Sequence, residues 1–108
     1  MTRTGTDQVA QLVVEAFDAG RKMPPRERLV ELDKLLRAEI DQLMKRAREA
    51  ADQAAPHTRR WYALTHAIED AQFAIGFEIG TGPLSGALHV AELARRVLDL
   101  QRTIGGES

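Results

Sequence analysis

Residues 26–54 read RERLVELDKLLRAEIDQLMKRAREAADQA, and this stretch decides the fold. Leu29, Leu32, Leu36, Ile40, Leu43, Ala47, Ala50 and Ala54 recur every three or four positions, the period of one face of an α-helix. At ~1.5 Å per residue the run makes a helix about 43 Å long. Pro24 and Pro25 stand where a first helical turn tolerates proline, because the missing N–H has no use there. On the polar side Asp33, Arg37, Asp41, Lys45 and Glu49 alternate in sign at four-residue intervals, which reads as a solvated face of weak ion pairs, each ~0.2–0.5 kcal/mol.

Outward from this helix the breakers mark three more. Towards the N-terminus, residues 7–19 place Val9, Leu12, Val13, Ala16 and Phe17 on one stripe, with Thr6 as N-cap and Gly20 as a left-handed stop. After Pro56, Thr58 can cap a third helix over 58–79. Gly80-Thr81-Gly82-Pro83 breaks the chain before a fourth over 83–104. No stretch alternates with period two, so the fold class is all-α. Short connections make neighbours antiparallel: three long helices up-down-up, with the shorter first helix packed alongside. The 108 residues form a single helical bundle domain, with residues 1–5 and 105–108 frayed.

Composition excludes several functions. There is no cysteine, hence no disulfide, thiolate nucleophile or cysteine-based zinc site, and a reducing cytoplasm is the simplest location. The N-terminus lacks the basic start and apolar stretch of a secretory signal. The least charged tract, residues 71–91, holds four glycines, Pro83 and His89, which argues against a membrane span. Residues 1–54 carry ten basic and ten acidic groups, and residues 55–108 carry five and six. Neither half has the cationic excess that phosphate binding needs, so nucleic acid is not an expected partner; Lys45-Arg46-Arg48 and Arg59-Arg60 read as solvated helix faces. No residue pattern names a reaction.

The informative region is the third helix. Trp61, Leu64, Ile68, Ala71, Ile75 and Ile79 already make a packing face, yet Tyr62, His66, Phe73 and Phe77 lie opposite, interleaved with Glu69 and Asp70. The fourth helix is also broad: Leu93, Leu100 and Ile104 widen a stripe made by Ala87, Val90, Ala91, Ala94, Val97 and Leu98. Two such helices carry more apolar surface than one long partner hides. Either the first helix covers the excess with Leu12, Val13 and Phe17, or another chain or a ligand does. The expected interface or ligand face is therefore Tyr62, His66, Phe73, Phe77, Leu93 and Leu100.

Beside it stands a polar group of Glu69, Asp70, His89, Glu92 and Arg96. His66 and Asp70 are four apart and share a face, and pairing about the Thr81 turn puts Glu92 and Arg96 at their height. This predicts a His–Asp pair and interhelical ion pairs. A di-iron site needs Glu-x-x-His motifs on paired helices, whereas this chain has one reversed His-x-x-Glu, so no metal, cofactor or catalytic residue is assigned. Gly80 to Gly86 is turn chemistry: a helix precedes it, lysine is absent and Pro83 removes a donor. Glu78 falls in the last turn of the third helix, where the hairpin brings it beside the N-terminus of the fourth.

The pattern Gly82-Pro83, His89, Leu93-Ala94-Arg95 and Val97, with Leu29 to Leu43 and Trp61 to Ala71 before it, resembles a family of small uncharacterised actinobacterial proteins linked to natural-product biosynthesis, over about residues 28–100. That resemblance implies a bacterial accessory protein without assigned catalytic residues. The expected function is a non-enzymatic helical protein that forms a homodimer or binds a protein partner through the aromatic face. The alternative is a small ligand- or metal-binding protein or enzyme using His66, Glu69 and Asp70 beside Tyr62, Phe73 and Phe77.

Overall fold

A computed structural model describes residues 4–106. Four helices follow in order: α1 (Thr4–Lys22), α2 (Arg26–Gln53), α3 (Arg59–Ile75) and α4 (Pro83–Ile104). No strand occurs among the described residues, as the period of the apolar positions requires. None of these helices is long and apolar enough to cross a membrane.

The leucine stripe of α2 lies where its spacing puts it. Leu29, Leu32, Leu36, Ile40, Leu43, Met44 and Ala47 are buried, joined by Val13, Ala16 and Ala19 of α1, Leu64, Ala71 and Ala74 of α3, and Ala87, Val90, Leu93, Ala94, Val97 and Leu100 of α4. Each fully buried leucine contributes roughly 1.5–3 kcal/mol relative to an exposed one. The alanines matter as much for geometry, since small side chains let helix axes approach closely.

α2 and α4 pack against each other and against both α1 and α3, whereas among the described residues no Cα of α1 lies within 8 Å of one in α3. The cross-section is thus a flattened rhombus with α2 and α4 on its short diagonal, and the molecule measures 45 × 34 × 19 Å. Of the alternatives left open by the sequence, the one in which the first helix covers the aromatic side of the third does not hold. Leu12 and Val13 pack into the core from the far side, and Phe17 stays exposed. The α1–α2 turn fixes that placement, because Arg28 of α2 donates Nε and Nη2 to the two oxygens of Glu15, both at 2.5 Å.

Several boundaries differ from the sequence reading. Thr6 lies inside α1 and is not its cap, and Thr4 and Gly5 are already helical; residues 1–3, expected to fray, lie outside the described residues. Gly20 is an interior helical residue. Met23 takes the left-handed conformation instead, at φ 49°, with its N–H on the Ala19 carbonyl at 2.8 Å. Thr58 caps α3 as expected, its hydroxyl accepting from the Trp61 N–H at 3.3 Å.

At its other end α3 stops at Ile75, not 79, so Phe77, Glu78 and Ile79 lie in the connection of residues 76–82. The C-terminus of α4 is tied to the start of α3. Gly106 closes the helix at φ 87°, and Arg60 of α3 donates to the carbonyls of Thr103 and Ile104 at 2.6 and 3.0 Å. Residues 107–108 lie outside the described residues.

Candidate functional site

The early end of α3 has a physical cause in another helix. Arg37 of α2 donates Nη1 to the carbonyl of Ile75, the last residue of α3, at 2.7 Å, and Nη2 to the Phe77 carbonyl in the connection that follows. Its Nε donates to Asp33 Oδ1 at 2.9 Å. Asp33 is the one buried charged residue among those described, at 8% exposure, and it accepts a second bond from His89 of α4 at 2.7 Å. A carboxylate can only accept, so His89 Nε2 carries the proton in that bond, and Nδ1 makes no hydrogen bond among the described residues. Asp33 and Arg37 therefore leave the solvated row in which their spacing placed them: they stitch α2 to α4 and to the end of α3.

In front of this network lies an open groove of about 440 Å³. Phe73, Phe77 and Leu88 give it an apolar lining, Glu78 and Glu92 contribute carboxylates, and His89 an imidazole. Phe73 is 72% exposed, Phe77 54% and Leu88 62%. The two phenyl rings meet edge to face at 5.0 Å between centroids, a favourable arrangement that preorganises the wall without burying it. Leu84, one turn before Leu88 on the same side of α4, is also exposed.

The structure divides the residues expected at this face. Phe73 and Phe77 line the groove. Tyr62 lies about 16 Å away along α3, where its hydroxyl meets His57 Nδ1 at 3.2 Å and its ring packs against Trp61. His66 is exposed next to Tyr62, with ring centroids 6.3 Å apart. Leu93 and Leu100 are fully buried core residues, so neither is available to a partner.

In the polar group, Asp70 reaches Arg96 across the α3–α4 interface at 3.7 Å, and Glu92 and Asp99 lie 3.2 and 3.3 Å from the same guanidinium. Arg96 Nε is buried and has no hydrogen bond, because its N–H is not aimed at the nearby Glu92 oxygen. No hydrogen bond or ion pair joins His66 to Asp70 among the described residues. The His–Asp pair that exists is His89 with Asp33, which sequence spacing could not have found, since the two stand 56 positions apart. No group of three potential ligands is placed to hold a metal ion among the described residues.

Fold and site together define a small four-helix protein with an exposed apolar groove and an acidic rim. Residues 7–107 match a family of unknown function, DUF6415, and the chain belongs to that family. The match is wider than the 28–100 span of the expected resemblance, and it identifies an uncharacterised family. No curated protein and no solved structure matches the chain.

Proposed function

We propose that this chain is a non-enzymatic interaction protein whose α3–α4 groove receives an apolar segment of another polypeptide. The observation that carries this reading is the joint exposure of Phe73, Phe77 and Leu88 around one groove. Single exposed apolar residues are ordinary, but a continuous apolar concavity marks an interaction site. Preorganisation supports it as well: the Phe77 backbone is held by Arg37, so binding need not order the wall first.

The reading includes a single domain whose helices run antiparallel in succession. What supports that course is Arg60, at the start of α3, on the last carbonyls of α4, and Arg26, at the start of α2, on the Gly80 carbonyl just before α4. A cytoplasmic accessory role in bacterial specialised metabolism belongs to the same proposal and rests on the resemblance of the Gly82 to Val97 pattern. The enzymatic alternative draws no support from His66, Glu69 and Asp70, which are exposed and do not converge.

Phe73→Asp tests the groove. The variant should keep the wild-type melting temperature and lose most of the binding of an apolar dye such as bis-anilinonaphthalene sulfonate. A melting temperature lowered by several degrees, or unchanged dye binding, would overturn the reading.

A further inference from the structure

Granting that the groove is a docking site, its charge selects the occupant. Glu78 and Glu92 are among its lining residues, and neither lysine nor arginine is. Beyond Glu92 the α3–α4 edge continues with Asp70 and Asp99 around the single guanidinium of Arg96, with Arg95 at 3.9 Å from Glu92 and Glu69 exposed on α3. Five carboxylates thus face two guanidinium groups here, although the whole chain has a net charge of only −1. Arg37 behind the groove is neutralised by Asp33. Arg60 lies at the far end of α3, about 20 Å along the helix and beyond the ~8–10 Å over which surface charges act at physiological salt.

The apolar lining spans about one helical turn, Phe73 to Phe77 on one side and Leu88 on the other, with exposed Leu84 a turn away from Leu88 on α4. That is the spacing at which the i and i+3/i+4 side chains of a docked helix project. A two-fold pairing of this face with itself would bring the Glu78 and Glu92 carboxylates of one copy towards those of the other, and like charges brought together at an interface are costly. A segment with an apolar stripe flanked by lysine or arginine meets both demands.

We infer that the groove binds a cationic amphipathic helix of a partner protein, its apolar residues between Phe73, Phe77 and Leu88 and its basic residues at Glu78 and Glu92. This rests on the reading of the groove as a docking site and adds the chemistry of the partner. Fluorescence anisotropy of two labelled model peptides of about 14 residues tests it, one of leucine and lysine, the other of leucine and glutamate.

The lysine peptide should bind at least about tenfold more tightly at low ionic strength, and most of that preference should vanish near 1 M salt, where the Debye length is ~3 Å. Phe73→Asp should abolish its binding even though the variant adds a negative charge, and Glu78→Lys should remove most of the preference. Circular dichroism melts of both variants establish that they fold. Equal binding of both peptides, lost in Phe73→Asp, overturns the cationic partner and leaves the docking reading standing. Lysine-peptide binding that survives Phe73→Asp overturns the inference as nonspecific charge attraction. Absence of peptide binding, with a wild-type dimer in sedimentation that Phe73→Asp dissociates, overturns it in favour of a second copy. Absence of binding in a strict monomer sinks both readings.

Discussion

Replacing Asp33 by alanine tests the interior network most directly. Were Asp33 part of a solvated row, its pairing with Arg37 would contribute ~0.3–0.5 kcal/mol, the usual value of an exposed i,i+4 pair. The structure demands more. Asp33 accepts bonds from Arg37 at 2.9 Å and His89 at 2.7 Å, and both carboxylate and imidazole are nearly closed off from water. Hydrogen bonds to a charged group contribute ~1.5–3 kcal/mol each, and breaking a fully buried pair costs ~3–5 kcal/mol. Arg37 keeps some access to solvent and its carbonyl acceptors, which recovers part of the loss.

The net cost of Asp33→Ala is therefore ~2–3 kcal/mol, or a fall in melting temperature of about 8–15 °C for a domain of this size. Thermal and urea unfolding followed by circular dichroism measure it, with Asp41→Ala as control from the exposed part of the same row. A cost within ~0.5 kcal/mol of that control would refute the buried-network account.

Three further outcomes follow from the fold. Leu93→Ala should cost ~2–5 kcal/mol by leaving a cavity among fully buried neighbours, in denaturant unfolding; a surface-like cost would contradict its place in the core. Gly20→Ala should stabilise α1 by ~0.5–1 kcal/mol, because nothing beyond its own turn of helix lies within 4 Å of the new methyl and the residue is helical. A loss of stability would instead restore Gly20 as a left-handed stop. The Arg28 guanidinium, by hydrogen bonding, holds the Glu15 carboxyl below its ordinary value of 4.5. Its stabilising contribution is thus present above pH 4.5 and lost as pH falls through the lowered value, so the melting temperatures of wild type and Glu15→Gln should differ at pH 7 and converge towards pH 3.

The parts of the fold legible in the sequence were those set by local rules. The α2 stripe, the Thr58 cap and the start of α4 at Pro83 follow from period, capping chemistry and proline geometry, and each stands where those rules put it. The misplaced features depend on distant partners. The third helix reads on to Ile79 because Phe77 and Ile79 continue its period, but Arg37, some 40 positions earlier, takes the carbonyls that a further turn would have used. Asp33 reads as solvated because an alternating charge row looks the same whether or not two helices close over one end of it. The exposed phenylalanines were visible as an excess face. Their separation from Tyr62 and the burial of Leu93 and Leu100 required knowing how α3 and α4 meet.

The rhombic packing also orders events in time. Because α4 touches all three preceding helices while α1 and α3 make no contact among the described residues, the α2 stripe has no complete cover until α4 has been synthesised. A nascent chain carrying only the first three helices therefore leaves uncovered the part of that stripe on which α4 packs, Leu29 beside Gly86 among it. Chaperone affinity for the emerging chain should concentrate on that stripe and end when residues 83–104 leave the ribosome.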